Sequence, residues 1–124
     1  VPADDPIAGL KALGGALVRW AMTNPTHFKV LSDRAQIDFD GSPVLPAANR
    51  EIQAIHERLL AQAQSAGLIR QTDLRTLALG GRAQVYGLAR MAVDGQLGQW
   101  DVPPREAHAR IAAVIDDYVE GLRA

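Results

Sequence analysis

The sequence has 124 residues, 48% of them hydrophobic and 22% charged, which is typical of one globular domain with a single core. The formal net charge is −1, so the chain lacks the basic surface that binds phosphates, and we expect no direct nucleic-acid binding by these residues. Cysteine is absent, which excludes disulfides and thiolate sites and fits a cytoplasmic protein, and no apolar run is long enough to span a membrane.

The first two predicted helices are separated by a proline. Asp4 or Asp5 can cap the first helix, and Pro6 suits its first position. Apolar residues then recur every three or four positions: Ile7, Leu10, Leu13, Leu17, Trp20 and Ala21. Pro25 ends this pattern and begins a short second helix that ends near residue 32. Residues 33–46 contain the turn dipeptides DG and SP and are therefore predicted to form a loop.

The third predicted helix begins at residue 45 or 46 and ends at residue 66. Its apolar face consists of Ile52, Ile55, Leu59 and Ala63. Gly67 is placed to end the helix, because glycine readily adopts the left-handed conformation of a C-cap. Leu68 and Ile69 then supply the apolar residues that usually accompany such a cap.

The fourth predicted helix begins at Thr72 or Asp73, ends at Asp94-Gly95 and is apolar on two sides. One side holds Leu74, Ala78, Gly81, Val85, Leu88 and Ala92, and the other holds Leu79, Ala83, Tyr86 and Val93. A helix that is apolar on two sides is buried on two sides. One side can therefore face the core of the domain and the other a second copy of the protein.

Glycines interrupt this helix at positions 80, 81 and 87. Each glycine in a helix interior costs about 0.8–1 kcal/mol relative to alanine. Such a residue is retained where another group must approach the backbone closely. Gly80 and Gly87 lie two turns apart on one face, so we interpret them as the site of a close helix–helix crossing, for which a dimer interface is one candidate. Neutral drift in an alanine-rich helix is the alternative.

The last predicted helix follows the linker "QLGQWDVPP" and extends from about residue 104 to residue 122. It presents a broad apolar face of Ile111, Val114, Ile115, Tyr118, Val119 and Leu122. Strand-like alternation of apolar and polar residues occurs nowhere in the sequence. The predicted fold is therefore all-α, with about five helices.

Two segments resemble a known family. A helix ending "RWAM" precedes "NPTHFKVL", and "AGLIRQTDLRTLALGGRAQVYGLARMAVDGQL" follows later. Both resemble the C-terminal domain of TetR-type (tetracycline-repressor-like) transcriptional regulators, in particular the subgroup with a Trp-His-Gly signature in its penultimate helix. The matching positions are Asn24, Pro25, Phe28 and Leu31, then Gly67, Leu68 and Asp73, then Val85, Gly87, Leu88 and Gly95. The signature tryptophan and histidine fall on Arg82 and Tyr86, which departs from the subgroup pattern.

The resemblance implies a homodimer in which an N-terminal helix-turn-helix domain binds operator DNA and the C-terminal domain binds a small effector. We expect residues 1–124 to be the effector-binding and dimerisation domain of such a regulator, a repressor, with the DNA-binding domain outside this sequence. The resemblance also implies a four-helix-bundle interface built from the last two long helices. The dimer-interface residues expected on this basis are Gly80, Ala83, Gly87, Ile111, Val114, Ile115, Tyr118 and Leu122.

A largely apolar effector pocket is implied by the same resemblance. The expected ligand-binding residues are Trp20, Phe28, Leu31, Ile55, His56, Leu59, Tyr86 and Arg90. Arg82 and Arg90 lie one turn either side of Tyr86, and such positions suit a carboxylate or hydroxyl group on the effector. Core filling is the competing interpretation for the aliphatic residues, and a dimer contact is the competing interpretation for Tyr86.

The sequence contains no residue pattern that indicates catalysis. His56-Glu57 begins a zinc-protease motif, but Leu60 occupies the position of the second histidine, so the motif fails. The other histidines, His27 and His108, lie on different helices. We therefore expect neither an enzyme nor a metal or cofactor site. A stand-alone helical interaction module, which would dock through the glycine-bearing helix, is the alternative function.

Overall fold

The structure, a computed structural model, describes residues 5–38 and 44–124. Its helices are α1 (Pro6–Thr23), α2 (Pro25–Asp38), α3 (Val44–Ser65), α4 (Leu74–Val93) and α5 (Ala107–Glu120), with two 3₁₀ turns, Gln96–Trp100 and Pro104–Glu106, before α5. The predicted all-α fold is confirmed, and β pairing in the described ranges is limited to one bridge between Ile69 and Arg123. None of the helices described is both long enough and apolar enough to cross a membrane.

Local signals in the sequence set the helix ends. The carboxylates of Asp5 and Asp73 cap α1 and α4, each accepting a hydrogen bond of 3.0 Å from a backbone N–H three residues later. Gly67 ends the α3 segment with φ at +72°, as predicted. The N–H of Leu68 then donates to the carbonyl of Ala63 at 2.9 Å, the hydrogen bond of a Schellman C-cap.

The predicted loop at residues 33–46 is wrong at both ends. α2 continues to Asp38, and α3 already begins at Val44. No glycine or proline occurs between residues 26 and 38, so nothing in that stretch stops the helix. Pro46 falls in the first turn of α3, where its missing N–H has no partner to lose. The turn dipeptides at residues 40–43, like Asp4, lie outside the described residues.

The core surrounds α1, which packs against α3, α4 and α5. Its buried residues are Ile7, Leu10, Val18, Leu60, Ala63, Ile69, Leu77, Ala78, Ile111, Ile115, Val119 and Leu122. An ion-pair cluster also joins α1 to α5. The Lys11 ammonium lies 2.8 Å from a carboxylate oxygen of Asp116 and 2.7 Å from one of Glu120. A cavity remains between α1, α3, α4 and α5.

Candidate functional site

The cavity has a volume of about 440 Å³ and lies between α1, α3, α4 and α5. Its apolar wall includes Leu10, Leu13, Leu17, Leu77, Val85, Ile115 and Val119. Its polar residues are Gln53, His56, Glu57, Arg75, Arg82, Gln84 and Tyr118. A mostly apolar cavity of this size with a few polar groups is typical of a site for a small organic molecule.

Helix α4 supplies the exposed rim of the cavity. Arg75, Leu79 and Arg82 all line it, because residues at positions i, i+4 and i+7 share one face of a helix. Leu79 is 71% exposed, so the apolar part of the rim is uncovered in the single chain. The rim therefore presents one apolar side chain, Leu79, flanked by two cationic side chains.

His56 reaches the cavity from α3 and lies against the backbone of α4. A Cβ atom built on Gly81 would stand 2.7 Å from Cε1 of the imidazole, so only glycine leaves room for the ring. Burial lowers the pKa of His56, the charge of Arg82 lowers it further, and Glu57 opposes both. The imidazole is therefore neutral at neutral pH and can both donate and accept a hydrogen bond.

A phenol and a carboxylate complete the polar part of the cavity. Burial raises the pKa of Tyr118, so its hydroxyl stays protonated and can donate a hydrogen bond. This hydroxyl lies 3.0 Å from a Cβ atom built on Gly80, which brings α5 close to α4. Across the cavity, the amide of Gln53 donates to a carboxylate oxygen of Glu57 at 3.1 Å.

The structure gathers three of the expected ligand-binding residues, but outside this cavity. The rings of Phe28 and Tyr86 lie with their centroids 6.0 Å apart, and the guanidinium of Arg90 lies 5.9 Å from the centroid of Phe28. These three residues connect α2 to α4. Of the expected ligand-binding residues whose side chains are described, His56 alone lines the cavity.

The other expected ligand-binding residues are dispersed. Trp20 is 41% exposed and contacts the ring of His27, at 5.5 Å between centroids. Leu59 packs against α1, and Ile55 is half-buried on α3 without lining the cavity. The side chain of Leu31 lies outside the described part of the chain. The indole and the two aliphatic side chains thus do not converge on one space.

The expected dimer residues divide into two groups. Ile111, Ile115 and Leu122 are buried in the core of the single chain, because their stripe faces α1 and not the outside. The remaining residues are accessible or half-buried: Gly80, Ala83, Gly87, Val114 and Tyr118. At Gly87 an added Cβ would meet nothing within 4 Å, so no other described helix packs closely against this position.

Sequence reasoning did not single out Gln53, Arg75 or Gln84, which line the cavity. The spacing of Arg75 and Arg82 around Leu79 is the signal that could have found the rim, because it predicts one helix face. Among the side chains that the structure describes, no three histidines or carboxylates come together as a metal site.

Comparison with protein families gives a match that covers most of the chain. The family model described as "Tetracyclin repressor-like, C-terminal domain" matches residues 10–118. Comparison with curated proteins and with solved structures gave no match. The matched range includes the helices that enclose the cavity, apart from their outermost residues. This chain belongs to the family of tetracyclin repressor-like C-terminal domains.

Proposed function

We propose that this domain senses a small, largely apolar molecule in the cavity and controls DNA binding by a helix-turn-helix domain of the same regulator, a repressor. Membership in the family supports a regulatory domain that binds a ligand and dimerises. The observation that carries the proposal is the cavity of about 440 Å³, with its buried apolar wall and polar rim. The Trp-His-Gly subgroup stays a prediction.

Four helices enclose the cavity, so its occupancy is coupled to their relative positions. A ligand shifts such an equilibrium only by as much as its affinity differs between the two arrangements. An effector that fits one arrangement better would therefore stabilise it and reposition whatever is attached to the bundle. This is a binding role, and the domain needs no catalytic group to perform it.

We further propose that the exposed side of α4 contacts a second copy of the chain. Leu79, Ala83 and Tyr86 share this side, and both Leu79 and Tyr86 are exposed. Exposed apolar side chains grouped on one face are typical of an interaction surface. An added Cβ at Gly87 meets nothing within 4 Å, so this part of α4 has room for close packing against another helix.

A thermal-shift screen of small apolar and amphipathic compounds tests the effector cavity. We expect compounds that raise the melting temperature of the wild type, since a ligand at 100 times its Kd stabilises the folded state by about 2.7 kcal/mol. Leu13→Trp fills the cavity and should abolish these shifts. Val30→Trp is the matched control, because Val30 lies on α2 outside the cavity and is 45% exposed. Equal shifts in the Leu13→Trp variant would contradict the proposal.

The regulatory part is tested in the full-length polypeptide. A compound that passes the first screen should change the affinity of that polypeptide for DNA from upstream of its own gene, measured by fluorescence anisotropy. Leu13→Trp should remove the effect of the compound while DNA binding itself persists. An affinity that does not respond to any cavity ligand would overturn the regulatory role.

A further inference from the structure

We propose that the ligand of the cavity is an amphipathic carboxylic acid with one negative charge, bound through Arg82 beside His56 at the rim. This inference rests on the proposed function, since it assigns a chemical class to the same ligand. The apolar body of the acid lies against the apolar wall, which includes the half-buried side chains of Leu13, Leu17 and Val85.

The charges around the cavity favour an anion. Two arginines, Arg75 and Arg82, line it together with one carboxylate, that of Glu57. His56 adds no positive charge at neutral pH, because burial lowers its pKa. The lining therefore carries a net charge of +1, from two cations and one anion. One negative charge on the ligand balances this net charge. A second negative charge would be repelled by Glu57 and would find no further cation to pair with, which favours a monoanion.

Arg82 is the better partner of the two arginines. The positive charge of Arg75 already acts on Asp73, whose pKa it helps to lower. Neither arginine forms an ion pair with an acidic side chain that the structure describes, but Arg82 directly follows Gly81, against which the imidazole of His56 lies. The two arginines are seven positions apart, or roughly 10 Å along the helix axis at 1.5 Å per residue, so they occupy different parts of the rim.

The surroundings of Arg82 also suit a carboxylate. A guanidinium can donate two parallel hydrogen bonds to a carboxylate, which fixes the orientation of the bound group. The neutral imidazole of His56 lies against Gly81, the residue before Arg82, and it can donate a further hydrogen bond. An alcohol of the same length would use the apolar wall equally well but would form no ion pair with Arg82.

Isothermal titration calorimetry with sodium octanoate and 1-octanol tests this assignment in the intact chain. We expect the wild type to bind octanoate at least tenfold more tightly than octanol. Arg82→Gln should weaken octanoate binding at least tenfold and change octanol binding by less than twofold. Arg58→Gln is the matched control, because Arg58 is exposed on α3 and does not line the cavity. That control should retain the preference for the acid.

Three results would overturn the inference. Equal affinity of the wild type for octanol and octanoate would show that the charge is not recognised, while the effector cavity itself would stand. A preference that persists in Arg82→Gln would remove Arg82 as the partner of the carboxylate. Equal loss of both ligands in Arg82→Gln, with an unchanged melting temperature, would mean that Arg82 shapes the cavity and does not pair with the acid. Failure of the proposed function would be seen in a different experiment, the thermal-shift screen, in which the Leu13→Trp variant would keep the shifts of the wild type.

Discussion

The imidazole of His56 lies against Gly81 so closely that a Cβ atom at position 81 would stand 2.7 Å from Cε1 of the ring. This contact joins α3 to α4 at the cavity. Gly81→Ala must therefore displace the imidazole, which is the mobile end of its side chain. We expect the free energy of unfolding to change by no more than about 1 kcal/mol, because alanine favours the helix by about that amount.

The displaced ring should have a higher pKa, because burial is the main cause that lowers the pKa of His56 in the wild type. A histidine NMR titration of the wild type and Gly81→Ala measures this shift. Gly87→Ala is the control, since an added Cβ at position 87 meets nothing within 4 Å and should leave His56 unchanged. An identical pKa in the wild type and Gly81→Ala would contradict the contact.

Gly87 tests the proposed dimer. An added Cβ at position 87 meets nothing within 4 Å, so we expect a single chain to tolerate a larger side chain there. Gly87→Leu should nevertheless weaken dimerisation at least tenfold, since leucine would separate two closely packed helices. Sedimentation equilibrium measures the association. Gly98→Leu, which adds the same side chain at an equally open position outside α4, should leave it unchanged. A Gly87→Leu protein that dimerises as tightly as the wild type would rule out close packing at this face.

The helices could be predicted from the sequence because their signals are local. Asp5, Gly67 and Asp73 each fix a helix end through hydrogen bonds to residues a few positions away. The cavity could not be predicted in the same way. A periodic stripe shows which residues share a face, but it does not show whether that face meets another helix of the same chain, a partner or a ligand.

Leu60 and Ile115 are two residues whose surroundings a periodic stripe did not predict. The predicted apolar face of α3 omitted Leu60, yet the residue is fully buried, because the buried surface of α3 is wider than a single stripe. Ile115 lies on a stripe that the family resemblance assigned to the dimer, yet it packs in the core and lines the cavity. Both outcomes depend on how the helices are placed around α1, which no local pattern specifies.

Leu60 should be among the residues most sensitive to truncation. It is 0% exposed, so Leu60→Ala removes buried methyl groups and leaves a void. We expect a loss of about 2–5 kcal/mol in the free energy of unfolding, measured by urea denaturation. Leu60→Met, which nearly conserves volume, should cost less than about 1.5 kcal/mol. A Leu60→Ala variant as stable as Leu60→Met would mean that the core closes around the missing atoms.

The Glu120 carboxylate should make the free energy of unfolding depend on pH. Its pKa falls from the usual 4.5 to about 2, because Arg123 and then Lys11 donate hydrogen bonds to it. The unfolded chain takes up a proton near pH 4.5 while the folded chain resists until about pH 2, so the unfolded state binds more protons in this window. The free energy of unfolding should therefore fall as the pH falls from 5 to 2, and this contribution should be complete above pH 5.

Glu120→Gln should remove this part of the pH dependence, so that the wild type exceeds the variant in stability at pH 6 and the difference shrinks toward pH 2. Urea denaturation at intervals across that range measures the difference. Asp117→Asn is the control, because Asp117 is exposed on the same helix and forms no ion pair within the described chain. High salt should reduce the difference at pH 6, since these charges are partly exposed and are screened by mobile ions. A difference that stays constant from pH 6 to pH 2 would show that Glu120 acts through packing and not through its charge.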